Sequence, residues 1–165
     1  MRKAAFFDRD GTINVNTGHL FEPEKLRFVA GAPELIRDYR NRGYVIIVIT
    51  NQAGIAKGYY SEEQMYQLHE YINARLLKEY GTAIDRFYFC PHHPDFTGPC
   101  DCRKPNTGML RKAIEDYQVD CSRSVLFGDK PSDIECGEKM GIKSIYIQDA
   151  LGLTDRTQWD ISCNE

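Results

Sequence analysis

Short apolar runs alternate with longer amphipathic segments along this chain. Five runs are typical of buried strands, at residues 3–7, 44–50, 85–90, 124–129 and 143–147. Four segments with helical periodicity lie between or after them, at residues 33–43, 61–81, 107–119 and 132–141. The segment 61–81 is the clearest helix, because it begins at an N-cap serine and ends at glycine. This alternation predicts an α/β fold with a Rossmann-like, doubly wound parallel sheet.

Length and composition narrow the class of protein. With 165 residues, 42% hydrophobic and 27% charged, the chain is expected to form a single domain over residues 1–165. A net charge of −3 gives no support for nucleic-acid binding, which usually needs a basic face. The longest apolar run, residues 44–49, is too short to span a membrane, and the N-terminus lacks the apolar core of a signal peptide. We therefore expect a cytoplasmic protein.

Polar side chains follow the predicted strands, where ligands bind in open parallel sheets. They are Asp8 and Asp10 after the first strand, Thr50 at the end of the second, Lys104 beyond the third, and Asp129 and Asp133 around the end of the fourth. Carboxylates that converge at one sheet edge either share protons or hold a cation, and such hard oxygen ligands suit Mg²⁺. Two interpretations without a catalytic role stay open: the Asp-x-Asp pair could form a solvated turn, and Asp133 could be a helix N-cap.

A cysteine and histidine cluster follows the third predicted strand. Cys90, His92, Cys100 and Cys102 have the spacing C-x-H-x7-C-x-C, and disulfides seldom persist in the cytoplasm. Three thiolates and one imidazole suit tetrahedral Zn²⁺ and leave no open position, so this zinc would be structural. His93 is an alternative fourth ligand. The remaining cysteines, Cys121, Cys136 and Cys163, show no partner spacing and are interpreted as ordinary thiols.

Four short motifs, "DRDGT", "ITN", "RKP" and "GDKPSD", resemble those of the haloacid-dehalogenase superfamily of phosphotransferases. The longer segments "FFDRDGTINV", "VITNQAGIAKG", "CDCRKPNTGML" and "GDKPSDIECGEKMGI" are most similar to the heptose-1,7-bisphosphate 7-phosphatases, and less so to histidinol-phosphate phosphatases. The resemblance covers residues 3–149. It implies a fold with no large cap domain, in which a zinc-binding loop at residues 90–102 shapes one wall of the substrate site.

The resemblance also implies roles for the strand-end residues. Asp8 would be the nucleophile that forms an aspartyl-phosphate, and Asp10 the general acid and base. Thr50 and Lys104 would bind the phosphoryl oxygens. Mg²⁺ would be held by Asp8, by the backbone carbonyl of Asp10 and by Asp129.

Substrate contacts are implied in the segments that border the strand ends. The segment at residues 14–20, between the first predicted strand and the first predicted helix, is called the flap. The implied contacts are Asn16, Thr17, Gly18 and His19 in the flap, Asn51, Gln52 and Ala53 after the second strand, and Arg103 and Lys130. The expected partner is a small sugar bisphosphate, with no nucleic acid and no membrane, and the expected oligomeric state is a monomer. The alternatives are a histidinol-phosphate phosphatase, another phosphotransferase or DNA-end phosphatase, and a non-catalytic zinc scaffold. Residues 155–165 resemble the start of a final strand.

Overall fold

The centre of the computed structural model, which describes residues 1–162, is a parallel sheet. Within that range its five strands are β1 (Ala4–Phe7), β2 (Val45–Asn51), β3 (Arg86–Cys90), β4 (Val125–Gly128) and β5 (Lys143–Tyr146). Their order is β3-β2-β1-β4-β5, and every neighbouring pair is parallel. The prediction of a doubly wound parallel sheet is confirmed.

The helices of the described chain are α1 (Ala32–Asn41), α2 (Ala53–Ala56), α3 (Glu62–Tyr80), α4 (Pro94–Thr97), α5 (Gly108–Tyr117), α6 (Pro131–Lys139) and α7 (Ile147–Ala150). The four long ones match the predicted helices to within about two residues at each end. For α3 the local signals explain the match: the Ser61 side chain accepts a hydrogen bond from the Gln64 amide, and Gly81 adopts a left-handed conformation. The short helices α2, α4 and α7 have four residues each and were not predicted.

Helices cover both faces of the sheet. Successive strand residues point to opposite faces, so Phe6 and Phe7 enter different layers. Phe7 and Val48 pack in the layer formed with α1 and α3, whereas Phe6 and Ile47 pack in the layer formed with α5 and α6. Because β1 and β2 are buried on both sides, their sequences are apolar without alternation, as is typical of central parallel strands.

The connections at the carboxyl end of the sheet are loops without an inserted domain. Residues 8–31, between β1 and α1, contain one 3₁₀ turn (Pro23–Lys25), and residues 91–107, between β3 and α5, contain only the short helix α4. The described chain therefore has no large cap domain, as expected. No helix within residues 1–162 is long and apolar enough to cross a bilayer.

The C-terminal segment differs from the prediction of a final strand, which is wrong for the residues described. Asp155 caps a 3₁₀ turn at Arg156–Gln158, accepting a hydrogen bond from the Thr157 amide. The chain then makes a single parallel bridge with the flap, where the Asn16 amide donates to the Trp159 carbonyl at 2.8 Å. Pairing with the flap takes the place of pairing with the sheet. Residues 163–165 lie outside the described part of the chain.

Candidate active site

A buried lysine and three aspartates meet at the carboxyl end of β1 and β4. The Lys104 ammonium donates to Asp8 Oδ1 at 2.8 Å and to the Ile49 carbonyl at 2.8 Å, and it forms an ion pair with Asp133 Oδ1 at 2.7 Å. The other oxygen of Asp133 accepts from the backbone amides of Asp129 (3.2 Å) and Lys130. The interpretation of Asp133 as a helix N-cap is wrong, because Lys130 is the N-cap of α6 and Asp133 is the third residue of the helix. Its carboxylate binds the backbone amides that precede the helix and also pairs with Lys104.

The charges of this cluster do not balance. When all four groups are ionised, three carboxylates face one ammonium. Burial, followed by the charges of Asp8 and Asp133, raises the pKa of Asp129 to about 9. Burial and Asp133 also raise the pKa of Asp8, against the opposing effect of Lys104. For Lys104, burial would lower the pKa, but Asp133 and Asp8 outweigh it and raise the pKa above its ordinary value.

The donor set suits a divalent cation. Asp8, Asp129 and Asp133 each offer one carboxylate oxygen, and these oxygens lie within 4.8 Å of one another. Asp129 Oδ1 is buried and has no hydrogen-bond partner among residues 1–162. A buried, unpaired carboxylate oxygen is costly unless a cation or a donor reaches it. The Asp10 side chain lies outside this cluster, and the prediction for Asp10 concerned only its backbone carbonyl.

Two glycines allow these carboxylates to approach the backbone. Gly11 has a φ of +84°, and a Cβ at this position would overlap the Asp129 carboxylate. A Cβ at Gly128 would overlap the Asp133 side chain. Glycine is therefore required at both positions for steric reasons, and at Gly11 also for its backbone conformation.

Asp10 has a separate set of hydrogen bonds. Its Oδ1 accepts from Arg9 Nη2 at 2.8 Å and from Asn14 Nδ2 at 3.0 Å, and its Oδ2 accepts from Gln52 Nε2 at 3.1 Å. Arg9 is fully buried, and its other contacts are to the Leu20 carbonyl and to His69. The carboxylate of Asp10 is thus fixed by three donors while it still lines the pocket.

The pocket above the cluster has a volume of about 380 Å³, the size of a small-ligand site. The predicted residues that line it are Asp8, Asp10, Asn16, Gly18, His19, Asn51, Gln52, Ala53, Arg103, Lys104 and Lys130. Thr50 is completely buried beneath the pocket, and Thr17 is exposed and does not line it. The structure therefore brings nearly all of the predicted site to one cavity.

The side chain of Asn51 is hydrogen-bonded to the backbone of Lys104. Its Oδ1 accepts from the Lys104 amide at 3.0 Å, and its Nδ2 donates to the Lys104 carbonyl at 3.4 Å. This pair of hydrogen bonds ties the end of β2 to the segment that carries the buried lysine. Asn51 therefore positions Lys104, in addition to any contact with a ligand.

The cysteine and histidine cluster has formed as predicted. His92 Nδ1 lies 3.2 Å from the Cys102 sulfur and 3.5 Å from the Cys90 sulfur, and the Cys90 and Cys100 sulfurs are 3.7 Å apart. All three cysteines are free thiols. His93 turns away: its Nδ1 accepts from the Asp95 amide at 3.1 Å, and it lines the pocket. The four predicted ligands are the ones that converge, and three sulfurs with one imidazole nitrogen suit Zn²⁺.

The chain was compared with known proteins. The family model described as HAD-hydrolase-like matches residues 101–160. A D-glycero-beta-D-manno-heptose-1,7-bisphosphate 7-phosphatase of Haemophilus ducreyi is 40% identical over 147 residues, covering 87% of this chain and 81% of that protein. A D-glycero-alpha-D-manno-heptose-1,7-bisphosphate 7-phosphatase of Photorhabdus laumondii is 44% identical over 150 residues, covering 88% and 81%. The chain belongs to the heptose-1,7-bisphosphate 7-phosphatase family.

The fold agrees with this membership. The D,D-heptose 1.7-bisphosphate phosphatase from B. bronchiseptica, solved in complex with magnesium and phosphate, superposes with a TM-score of 0.81. The match covers 99% of this chain and 93% of that one at 24% identity, so it supports the fold alone. The resemblance inferred from the four motifs is confirmed, as is the haloacid-dehalogenase-like fold.

Some residues of the pocket were not predicted as substrate contacts. They are Lys57, Tyr60, His93 and Ser132. Lys57 and Tyr60 follow the short helix α2, whose start at Ala53 was predicted to contact substrate, so their position in the chain was the available signal. The His19 ring lies against Tyr59, with ring centroids 4.7 Å apart. Burial, and next the charge of Lys57, lowers the pKa of His19 and favours its neutral form.

Proposed function

We propose that this protein is a Mg²⁺-dependent phosphatase that removes the C7 phosphate of a D-glycero-D-manno-heptose 1,7-bisphosphate. The observation that carries the proposal is the Asp8 carboxylate, which is buried at the end of β1, held by Lys104, and shares a pocket with Asp10. Family membership supplies the substrate class. The product would enter the synthesis of nucleotide-activated heptose.

The arrangement supports a two-step transfer. A carboxylate oxygen of Asp8 attacks phosphorus, the bond from phosphorus to O7 breaks, and Asp10 gives its proton to the departing oxygen. A water molecule then loses a proton to Asp10 and attacks phosphorus, which breaks the bond to Asp8 and releases phosphate. Lys104 neutralises charge beside Asp8 throughout, because its ammonium is buried against that carboxylate.

Two metal ions fit the described donor sets. Mg²⁺ would be held by Asp8 and Asp129 together with the backbone carbonyl of Asp10; when bound, it offsets the repulsion between the anionic nucleophile and the anionic phosphate. Zn²⁺ would be held by the cluster at Cys90, His92, Cys100 and Cys102 and would fix the loop that leads into Arg103 and Lys104. Arg103 Nη1 donates to the His92 carbonyl at 3.4 Å, which links this loop to the pocket wall.

The charges of the pocket favour a substrate with two phosphates. Lys57, Arg103 and Lys130 line the pocket, and among residues 1–162 none of them forms an ion pair with a carboxylate. A single phosphate above Asp8 and Lys104 would leave cations of this wall uncompensated. A bisphosphate supplies the second anion.

A phosphate-release panel tests the proposal. The purified protein, supplied with Mg²⁺, would be given both anomers of heptose 1,7-bisphosphate and histidinol phosphate. We expect release of one phosphate per heptose bisphosphate, from C7, and loss of this activity in Asp8→Asn but not in the exposed control Asp38→Asn. A higher kcat/KM for histidinol phosphate than for both heptose anomers would refute the substrate assignment. Phosphate found on a peptide other than the one containing Asp8, after acid quenching, would refute the mechanism.

A further inference from the structure

The side-chain amide of Gln52 is fully engaged inside the protein. Gln52 is 2% exposed, and its Nε2 donates to Asp10 Oδ2 at 3.1 Å and to Thr50 Oγ1 at 2.9 Å. Its Oε1 accepts from the hydroxyl of Tyr60. Both amide hydrogens therefore have protein acceptors, and no amide hydrogen is left over for a sugar hydroxyl.

The partners determine which way the amide points. In the reversed orientation Oε1 would face the Asp10 carboxylate, and two acceptors would repel each other. With Nε2 toward Asp10, the oxygen faces Tyr60, which must then donate its hydroxyl hydrogen. Burial raises the pKa of Tyr60 above its ordinary value, so the phenol keeps this hydrogen at neutral pH. The Tyr60 hydroxyl and the Asp10 carboxylate thus hold the amide from opposite sides.

This amide determines how the proton donor is presented. Asp10 Oδ1 already accepts from Arg9 and Asn14, so the proton that Asp10 transfers is carried by Oδ2, the oxygen that Gln52 contacts. Thr50 Oγ1 accepts from Gln52 and donates its own hydrogen to the Asn51 carbonyl at 3.4 Å, so this buried hydroxyl anchors the amide. Gln52 therefore joins the end of β2 to Asp10.

We propose that Gln52, oriented by Tyr60 and anchored on Thr50, is a positioning residue that aligns Oδ2 of Asp10 for phosphoryl transfer, and that its side chain is not a contact of the sugar. The inference rests on the proposed phosphatase function. It assigns to Tyr60, which no motif marks, an effect on the chemical step without contact with the reacting atoms.

The surroundings of Tyr60 make a clean substitution available. Its ring stacks on Phe21, with centroids 5.5 Å apart, and a Cβ at Gly54 would overlap the ring. Tyr60→Phe keeps this packing and removes only the hydroxyl. Gln52→Glu keeps the shape of the side chain and replaces the donor with an acceptor beside Asp10. Tyr66→Phe, at a half-exposed tyrosine outside the pocket, is the matched control.

The experiment measures kcat and KM for heptose 1,7-bisphosphate, together with single-turnover formation of the aspartyl-phosphate from that substrate and from p-nitrophenyl phosphate. We expect Tyr60→Phe to lower kcat about 3- to 10-fold, the value of one hydrogen bond, with KM within about twofold of wild type. Gln52→Glu should lower kcat about 100-fold, which is the smallest loss typical of removing general acid and base catalysis. Both losses should be larger with the sugar than with p-nitrophenyl phosphate, because p-nitrophenolate departs without a proton.

The outcomes separate the inference from the function on which it rests. If wild type is active and Tyr60→Phe behaves like Tyr66→Phe, the inference is wrong and the function stands. If Gln52→Glu raises KM and leaves kcat unchanged, Gln52 is a substrate contact and the inference is also wrong. A wild-type protein with no activity on any phosphate ester would overturn both. Melting temperatures of the variants, expected close to wild type for Tyr60→Phe, exclude unfolding as the cause of a loss.

Discussion

The burial of a neutral histidine beside Arg9 should make the folded protein sensitive to acid. His69 Nε2 lies 3.1 Å from Arg9 Nη1, and the imidazole stacks on Phe87 with centroids 4.1 Å apart. Because a guanidinium only donates, Nε2 must accept, and the folded protein requires the neutral ring. Burial, followed by the charge of Arg9, lowers the pKa of His69 to about 2.

The sign and size of the effect follow from this shift. The ordinary pKa of the ring is 6.5, so between pH 6.5 and pH 2 the unfolded chain binds a proton at His69 that the folded protein does not. The contribution of neutral His69 to the free energy of unfolding is therefore fully present above pH 6.5 and decreases as the pH falls. The slope of the unfolding free energy against pH approaches about 1.4 kcal/mol per pH unit, so the loss between pH 6.5 and pH 4.5 is roughly 2 kcal/mol. That is a large part of the 5–15 kcal/mol typical of a domain, as a rough guide.

The variant His69→Gln removes the titrating group and keeps an acceptor for Arg9. Its unfolding free energy, from urea titrations at about pH 7, 6 and 5, should decline less steeply toward acid than that of wild type. Both proteins retain the cysteine cluster, so the pH dependence of that cluster cancels in the difference. Gln67→Asn, at an exposed position of the same helix that carries no titrating group, should retain the wild-type slope. Parallel curves for wild type and His69→Gln would refute the reasoning.

Three further outcomes are expected. Asp133→Asn should lower the unfolding free energy by about 1–3 kcal/mol in urea titrations, because it weakens the buried hydrogen bonds to Lys104 and to the backbone amides while Lys104 keeps its pair with Asp8, whereas the exposed control Asp149→Asn should not; equal midpoints would contradict this. Metal analysis should give about one zinc per chain for wild type and for Cys121→Ser, and none for Cys100→Ser, which should also melt at a lower temperature; full zinc content in Cys100→Ser would contradict the site. Trp159→Ala should raise KM more than it lowers kcat, since the Trp159 ring packs against the cluster that contains Val15, the neighbour of Asn16; an unchanged KM would contradict this.

Most of the sheet and the residues at its carboxyl edge could be predicted from the sequence. The strands β1 and β2 are apolar without alternation because both faces are covered, and their ends must meet because the sheet is parallel. The sequence is therefore enough to predict that Asp8 and Asp129 lie together. The role of Asp133 could not be predicted, because a carboxylate at the start of a helix satisfies backbone amides in many proteins with no further function.

Contacts between segments far apart in the chain were less predictable. The C-terminal residues resembled a strand in their local sequence, but their partner is the flap, about 140 residues earlier, and no local pattern encodes that pairing. The pairing also brings the Trp159 backbone against a pocket residue, Asn16.

The segment Thr50-Asn51-Gln52 shows why a motif identifies a site more readily than it assigns roles within it. The family resemblance implied substrate contacts for Asn51 and Gln52, and both residues do line the pocket. Their amide groups, however, are hydrogen-bonded to the Lys104 backbone and to Asp10, respectively. An amide carries donors and an acceptor at once, so it can join two strand ends that each present a different group. Residues of this kind hold Lys104 and Asp10 in one geometry, and a rigid geometry is what the proposed phosphoryl transfer would require of the protein.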